Sequence, residues 1–293
     1  LRIVGTKDGY CKKDGPENDR TIEAINASGA SISELFLAGF LPGVLIALCL
    51  MVYSYIYCKI HGEDKDKLNA KCMELRAKGL GTVLKEGFWA LMSPVIILGG
   101  IYGGICSPTE AATISIFYSL IVSLFIYRTI KIRDLPKIML EGIHSYAPIL
   151  IILSAAVAFA RVITLMNVAT IVSEAVLSAI SSKVVILLLI NVLLLFVGMI
   201  MDTGPAILVF TPVLLPVAEA IGVDPIHFGI IMCVNLAIGF VTPPMGANLF
   251  VASNLSKVSV FDIARKAVPF ILAFLIALLL ITFVPQISMF LLQ

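Results

Sequence analysis

Between Val184 and Ser256 the chain carries only three charged residues, Asp202, Glu219 and Asp224. Seventy residues cannot stay so free of charge on a water-exposed surface. The stretch must lie inside protein or inside lipid. The rest of the sequence agrees. It has 293 residues, 59% of them hydrophobic and 14% charged, against about 25% charged in an ordinary soluble domain. Of its 40 Lys, Arg, Asp and Glu residues, 23 fall within residues 1–90. This distribution excludes a disordered chain, a nucleic-acid binder and an ordinary cytosolic enzyme. It describes an all-α, polytopic helical membrane protein. The six cysteines form no CxxC pair and have no zinc-site spacing to histidine. Cys49, Cys106 and Cys233 at least read as small apolar fillers in helices.

Five regions follow from composition. Residues 1–30 are polar, irregular and without the apolar core of a signal peptide. Residues 31–86 hold a first span, Leu35 to Tyr57, with Pro42 as its expected kink. They continue into a basic amphipathic connection with Leu68, Cys72, Leu75 and Leu80 near one face. Residues 87–144 hold an apolar block broken at Gly103–Thr109. It is either two spans or one broken helix plus another. Residues 145–256 hold two short apolar stretches around Thr164–Val168, either a span or a re-entrant hairpin, and then two interrupted helices. Residues 257–293 hold a short polar piece and a last span, Val268 to Leu292. The total is seven to nine membrane segments.

The two interruptions carry the chemistry. The first is Asp202-Thr203-Gly204-Pro205, after an apolar run. A carboxylate in hydrocarbon costs several kcal/mol unless it has a role. Pro205 gives no backbone donor and Gly204 tolerates non-helical dihedrals, so an unwound turn is expected. Asp202 can alternatively sit at a helix end in the headgroup region. The second is Gly239-Phe240-Val241-Thr242-Pro243-Pro244-Met245-Gly246-Ala247-Asn248. Two prolines between glycines should stop a helix. A new helix beginning after Gly246 would offer amide donors to an anion. Backbone of this kind survives at membrane depth only when buried in protein or lining a wet cavity. Discontinuous helices mark the binding sites of ion-coupled transporters.

Other residues have structural readings. Arg161 is expected to snorkel from a helix end. Glu110 is expected to cap the helix after Pro108. Asn191 and Asn235 are expected to cross-link helices. His61, His144 and His227 read as interfacial. The GGIYGG run at 99–104 lacks the Lys-Ser/Thr of a phosphate loop and reads as close helix packing. An intramembrane aspartyl protease would need a second carboxylate beside Asp202. Glu174 and Glu219 are poorly placed for that.

SELFLAGFLPG (33–43), GGIYGGICSPTEAA (99–112) and the stretch from Gly198 to Ser253 together resemble one family. It is the large membrane subunit of the tripartite ATP-independent periplasmic (TRAP) transporters. The resemblance runs from about Ser31 to the C-terminus. It implies an elevator-type transporter of two inverted repeats, each with a re-entrant hairpin and an interrupted helix. The implied work is import of small organic anions, such as C4-dicarboxylates or sugar acids, across the bacterial inner membrane. Sodium is the coupling ion and there is no cofactor and no enzymatic activity. The implied partners are a small membrane subunit, a periplasmic substrate-binding protein and the lipid bilayer, with no nucleic acid. The resemblance assigns sodium to Gly239, Thr242 and Met245, mainly through carbonyls and the Thr hydroxyl, and to Asp202. Met245 stands where the family pattern leads one to expect valine, a change a carbonyl ligand tolerates. Asp202, Thr203, Gly204, Pro243, Pro244, Gly246 and Asn248 are assigned to the substrate. A complete subunit has two such halves, and the first is expected ahead of SISELFLAG, where Leu1 to Ala27 are unlike the family. The expectation is therefore a split or truncated chain that needs a separate N-terminal half, or else an inactive remnant.

Overall fold

The computed structural model describes residues 32–62, 73, 79–244 and 246–292. Residues 1–31, Met245, Gln293 and nearly all of the connection over 63–78 lie outside it, and with them the amphipathic face of Leu68, Cys72 and Leu75. The described residues are helical, with no strand among them. Six helical stretches are long and apolar enough to cross a bilayer, and three shorter apolar helices accompany them.

Helices α1 (Ile32–Ala38) and α2 (Phe40–His61) form the first span. They are separated only at Gly39. Pro42 explains this break, because it cannot donate to the carbonyl four residues back, at Ala38. Helices α3 (Leu80–Tyr102) and α4 (Pro108–Ile121) follow and pack on each other. Ser107 opens α4 with a capping box: its hydroxyl accepts from Glu110 N, and the Glu110 carboxylate accepts from Ser107 N at 2.8 Å. Glu110 is thus the cap expected of it. The glycine run departs from expectation. It shapes the end of α3, where the chain folds back so that Ile105 N and Cys106 N both donate to the Gly100 carbonyl. A Cβ at Gly100 would sit 2.6 Å from Cys106 Sγ, and Gly104 has φ +65°.

Helix α5 (Leu135–Leu165) runs unbroken through residues 144 and 145, across the change in composition there. Asn167, left-handed at φ 52°, turns the chain into α6 (Val168–Ala179). Helix plus turn plus helix is the hairpin-like alternative for this region. Arg161 is exposed one turn before the end of α5. Next come α7 (Lys183–Ile200), α8 (Thr203–Ala220), α9 (Pro225–Gly239) and α10 (Ala247–Ser256). The last span, α11 (Val260–Phe283), absorbs the polar piece before it and ends earlier than expected. Pro285 disfavours helical dihedrals at Val284, which adopts φ −118° and ψ 82°. A short helix, α12 (Gln286–Met289), completes the chain's regular part.

Burial is inverted relative to a soluble protein. Phe196 is 60% exposed and Ile151 72% exposed, on helices without charge at those depths. Such continuous apolar surface is stable only against lipid or protein. The buried core instead follows α7 and α9. Ile186, Leu194, Leu214, Phe228 and Leu236 form one cluster, and Ala38, Ile230, Ile238, Leu278 and Ile281 form another.

Polar side chains stitch this core. Asn235 donates to Asn191 Oδ1 at 2.9 Å, and Asn191 donates to Thr282 Oγ1 at 3.0 Å. Three helices, α9, α7 and α11, are thereby tied in series, extending the expected Asn cross-links by one residue. His227 differs from the interfacial reading. It is 2% exposed, with Nε2 donating to the Thr282 carbonyl at 3.4 Å. Its position three residues into α9 places it under the end of α11 rather than outside the bundle. Asn191→Ala should cost roughly 1–2 kcal/mol in detergent unfolding, because it leaves buried amide groups unpaired. In the double-mutant cycle with Asn235→Ala the losses should add to less than their sum. Full additivity would mean the pair does not couple the helices.

Candidate functional site

Helices α7 and α9 run parallel. At one end, Lys183 Nζ donates to the Gly222 carbonyl just before α9, at 3.1 Å. At the other, Gly198 meets Gly239 backbone to backbone: a Cβ on Gly239 would lie 2.6 Å from Gly198 Cα and closer still to its carbonyl. Both helices end immediately beyond this crossing. The two interruptions, more than thirty residues apart in sequence, are therefore neighbours in space.

After α7, Met201 is extended and Asp202 begins α8 as its N-cap, its Oδ1 accepting from Thr203 N at 2.8 Å. The expected unwinding is thus confined to two residues. Thr203, Gly204 and Pro205 form the first turn of α8, where the donor missing from Pro205 is not needed. The Asp202 side chain is exposed. After α9 residues 240–244 and Gly246 are non-helical, with a cis Pro243–Pro244 peptide. The turn is held by its own backbone. Thr242 N donates to the Gly239 carbonyl at 3.0 Å, and Asn248 N reaches back to the Phe240 carbonyl at 3.1 Å. The half-buried Thr242 hydroxyl donates to the Ile238 carbonyl at 2.7 Å, leaving its lone pairs available. Gly246 is buried against this turn: a Cβ there would lie 2.7 Å from the Phe240 oxygen and 2.9 Å from the Thr242 oxygen. Helix α10 starts directly after it.

A cavity of about 350 Å³ lies where the interruptions meet, lined by Gly198 to Asp202 on one side and by Phe240 and Asn248 on the other. Of the residues assigned from sequence, Asp202 and Asn248 line this cavity. Thr203, Gly204, Gly239, Thr242, Pro243, Pro244 and Gly246 belong to the turns and helix starts that frame it. Met245 lies outside the described residues. Among the described residues no group of three His, Cys, Asp or Glu side chains comes together. The oxygen atoms offered at the two breaks are backbone carbonyls, the Thr242 hydroxyl and the Asp202 carboxylate, all hard donors. The sequence reading missed the Gly198–Gly239 crossing. Its signal was present as a glycine near the C-terminal end of each of two apolar helices, two and zero residues from their last residues.

Stacked apolar helices, an inward polar chain and two helix breaks facing one cavity define a multi-pass membrane protein of the transporter type. A model of the "Tripartite ATP-independent periplasmic transporter, DctM component" matches residues 21–287, and the chain belongs to this family. It is 43% identical over 94% of its length to the isethionate TRAP transporter permease protein DctMQ of Oleidesulfovibrio alaskensis. It is 37% identical over 90% to the C4-dicarboxylate TRAP transporter large permease protein DctM of Pseudomonas aeruginosa. It is 34% identical over 90% to the sialic acid TRAP transporter large permease protein SiaM of Vibrio cholerae. The chain spans 42%, 60% and 60% of these relatives, respectively. The family is one of transporter permeases, not enzymes.

Proposed function

We propose that the chain forms the second-repeat part of a sodium-coupled permease that imports a small organic anion across the bacterial inner membrane. The observation that carries this reading is the convergence of both helix breaks on the Asp202–Asn248 cavity. Carbonyls of the 239–246 turn, the Thr242 hydroxyl and the Asp202 carboxylate take up sodium. The bound cation offsets the Asp202 charge, and the start of α10 then meets the substrate carboxylate or sulfonate with amide donors. Asn248, on the cavity wall, hydrogen-bonds the substrate. Rigid-body movement of this unit against a scaffold carries ion and anion across together. The partners are a small membrane subunit, a periplasmic binding protein that delivers the anion, and the first repeat of the permease, on the same polypeptide or a separate one. The anion belongs to the range named for the relatives: a C4-dicarboxylate, a sialic acid or isethionate.

The test is uptake of these three radiolabelled anions into proteoliposomes holding permease, small subunit and binding protein, under an inward sodium or choline gradient. One of them should accumulate only with sodium. Asp202→Ala and Thr242→Ala should each lower the rate about tenfold or more, the scale of losing one charge-assisted or buried ligand. Sodium-independent uptake would overturn the coupling. Unchanged rates in both variants would overturn the site.

A further inference from the structure

The first and last described spans, α2 and α11, leave a long apolar groove between them. It has a volume of about 480 Å³ and is lined by Leu48, Val52 and Ile56 on α2 and by Pro269, Leu272 and Ile276 on α11. Tyr53 also lines it, and its ring packs edge to face on Phe270 of α11 with centroids 4.6 Å apart. The two helices are antiparallel. The end of the chain beyond α11 packs back on α1 and the start of α2, where Ala38, Leu45 and Ile46 meet Ile287 and Leu292. The last turn of α2 and the first turns of α11 therefore lie at the same membrane face.

At that face the lining stripes become cationic. On α11 the groove residues recur at 269, 272, 273 and 276, and the same stripe continues outward to Lys266 and Arg265, three and four residues before Pro269. On α2 the stripe Val52, Ile56 continues to Lys59, three residues on. All three cations are exposed. Among the described residues, Asp262, one turn further out on α11, is the only acid on either stripe, so the described mouth of the groove carries a net positive charge. A slot of acyl-chain character closed by a positive mouth has the charge pattern of a phospholipid.

We propose that this groove is a binding site for one anionic glycerophospholipid. An acyl chain lies along Leu48–Ile56 and Pro269–Ile276, and the headgroup phosphate and its extra negative charge lie between Lys59, Arg265 and Lys266. A zwitterionic lipid fills the slot but gains nothing net from the mouth, so the site is selective by charge. The proposal is independent of the transport site, which lies on other helices.

The experiment uses Tyr53→Trp in a Trp89→Phe background, which removes the sole native tryptophan. The permease is reconstituted in bilayers containing dibrominated phosphatidylglycerol or dibrominated phosphatidylcholine, and quenching of the indole fluorescence is read as relative affinity. Phosphatidylglycerol should be preferred about fivefold or more, the scale of one to two cation contacts at a membrane surface. The preference should fall to near unity in Lys59→Gln/Arg265→Gln/Lys266→Gln, while phosphatidylcholine quenching stays the same. That constancy also reports an intact groove. Equal quenching by both lipids in the protein with its cations intact would overturn the proposal. An indole quenched by neither lipid would overturn it too, because a protein partner would then cover the groove.

Discussion

Gly239→Ala should abolish the folded permease, seen as loss of the monodisperse detergent-solubilised protein and of uptake. An added Cβ would lie 2.6 Å from Gly198 Cα and closer to the Gly198 carbonyl, all of it backbone. No side chain can rotate to make room, so α7 and α9 must part along their whole shared core of Ile186, Leu194 and Leu236. Overpacking of this kind costs about 1–3 kcal/mol when side chains can yield, and more when they cannot. A domain's total stability is only about 5–15 kcal/mol. The same methyl at the opposite glycine is milder. At Gly198 it would meet Leu236 Cα at 3.0 Å and Gly239 Cα at 3.3 Å, so Gly198→Ala should lower the unfolding midpoint without preventing folding. At Gly142, with nothing within 4 Å inside α5, alanine should be neutral or stabilising by up to about 1 kcal/mol, because it is the better helix former. The order Gly239, Gly198, Gly142 is the check. A Gly239→Ala protein as stable as Gly142→Ala would show that the helices do not cross there.

Much of this architecture was legible in the sequence, because in a membrane chain charge and proline do most of the marking. The break at Gly103–Thr109, the turn at 202, the stop after Gly239 and the restart after Gly246 all fall where proline or glycine removes a donor or a Cβ. The Asn191–Asn235 link was legible for a similar reason: amides in apolar helices need each other. What composition could not give was depth and facing. His227 looked interfacial because it follows Asp224 and Pro225, yet the fold seats it beneath Thr282 of a helix 55 residues away. Asp202 read either as a carboxylate in hydrocarbon or as a helix-end residue, and it is an N-cap with an exposed side chain. The glycine run at 99–104 looked like a packing motif, whereas the close helix approach uses two isolated glycines that no local pattern connects. These are long-range facts, and a single sequence read by period and composition does not hold them.

Gly246→Ala should leave the permease folded and raise the sodium concentration needed for half-maximal uptake about tenfold or more. The reading rests on the proposed sodium site. Gly246 has φ −50°, which alanine adopts freely, so the change introduces no strained dihedral. Its effect is one of space. The Cβ would lie 2.7 Å from the Phe240 carbonyl oxygen and 2.9 Å from that of Thr242. Both oxygens belong to the turn, and the first also accepts from Asn248 N. To admit the methyl, the turn must move its carbonyls outward by a few tenths of an ångström or more. A cation site built from carbonyls is sensitive to such movement, because each ligand must stay near 2.3–2.6 Å for a hard ion of this size. The helices on either side are held elsewhere, α9 by Asn235 and α10 by its contact with α11. The strain is confined to the turn, so the thermal midpoint should fall, but by less than in Gly239→Ala. Asn248→Ala is the informative partner, since its side chain lies on the cavity wall while only its backbone N–H closes the turn. That variant should raise the KM for the anion and leave the sodium dependence unchanged. If Gly246→Ala shifted the anion KM alone, or if both variants moved the two parameters together, the 239–246 turn would not be the sodium-binding element.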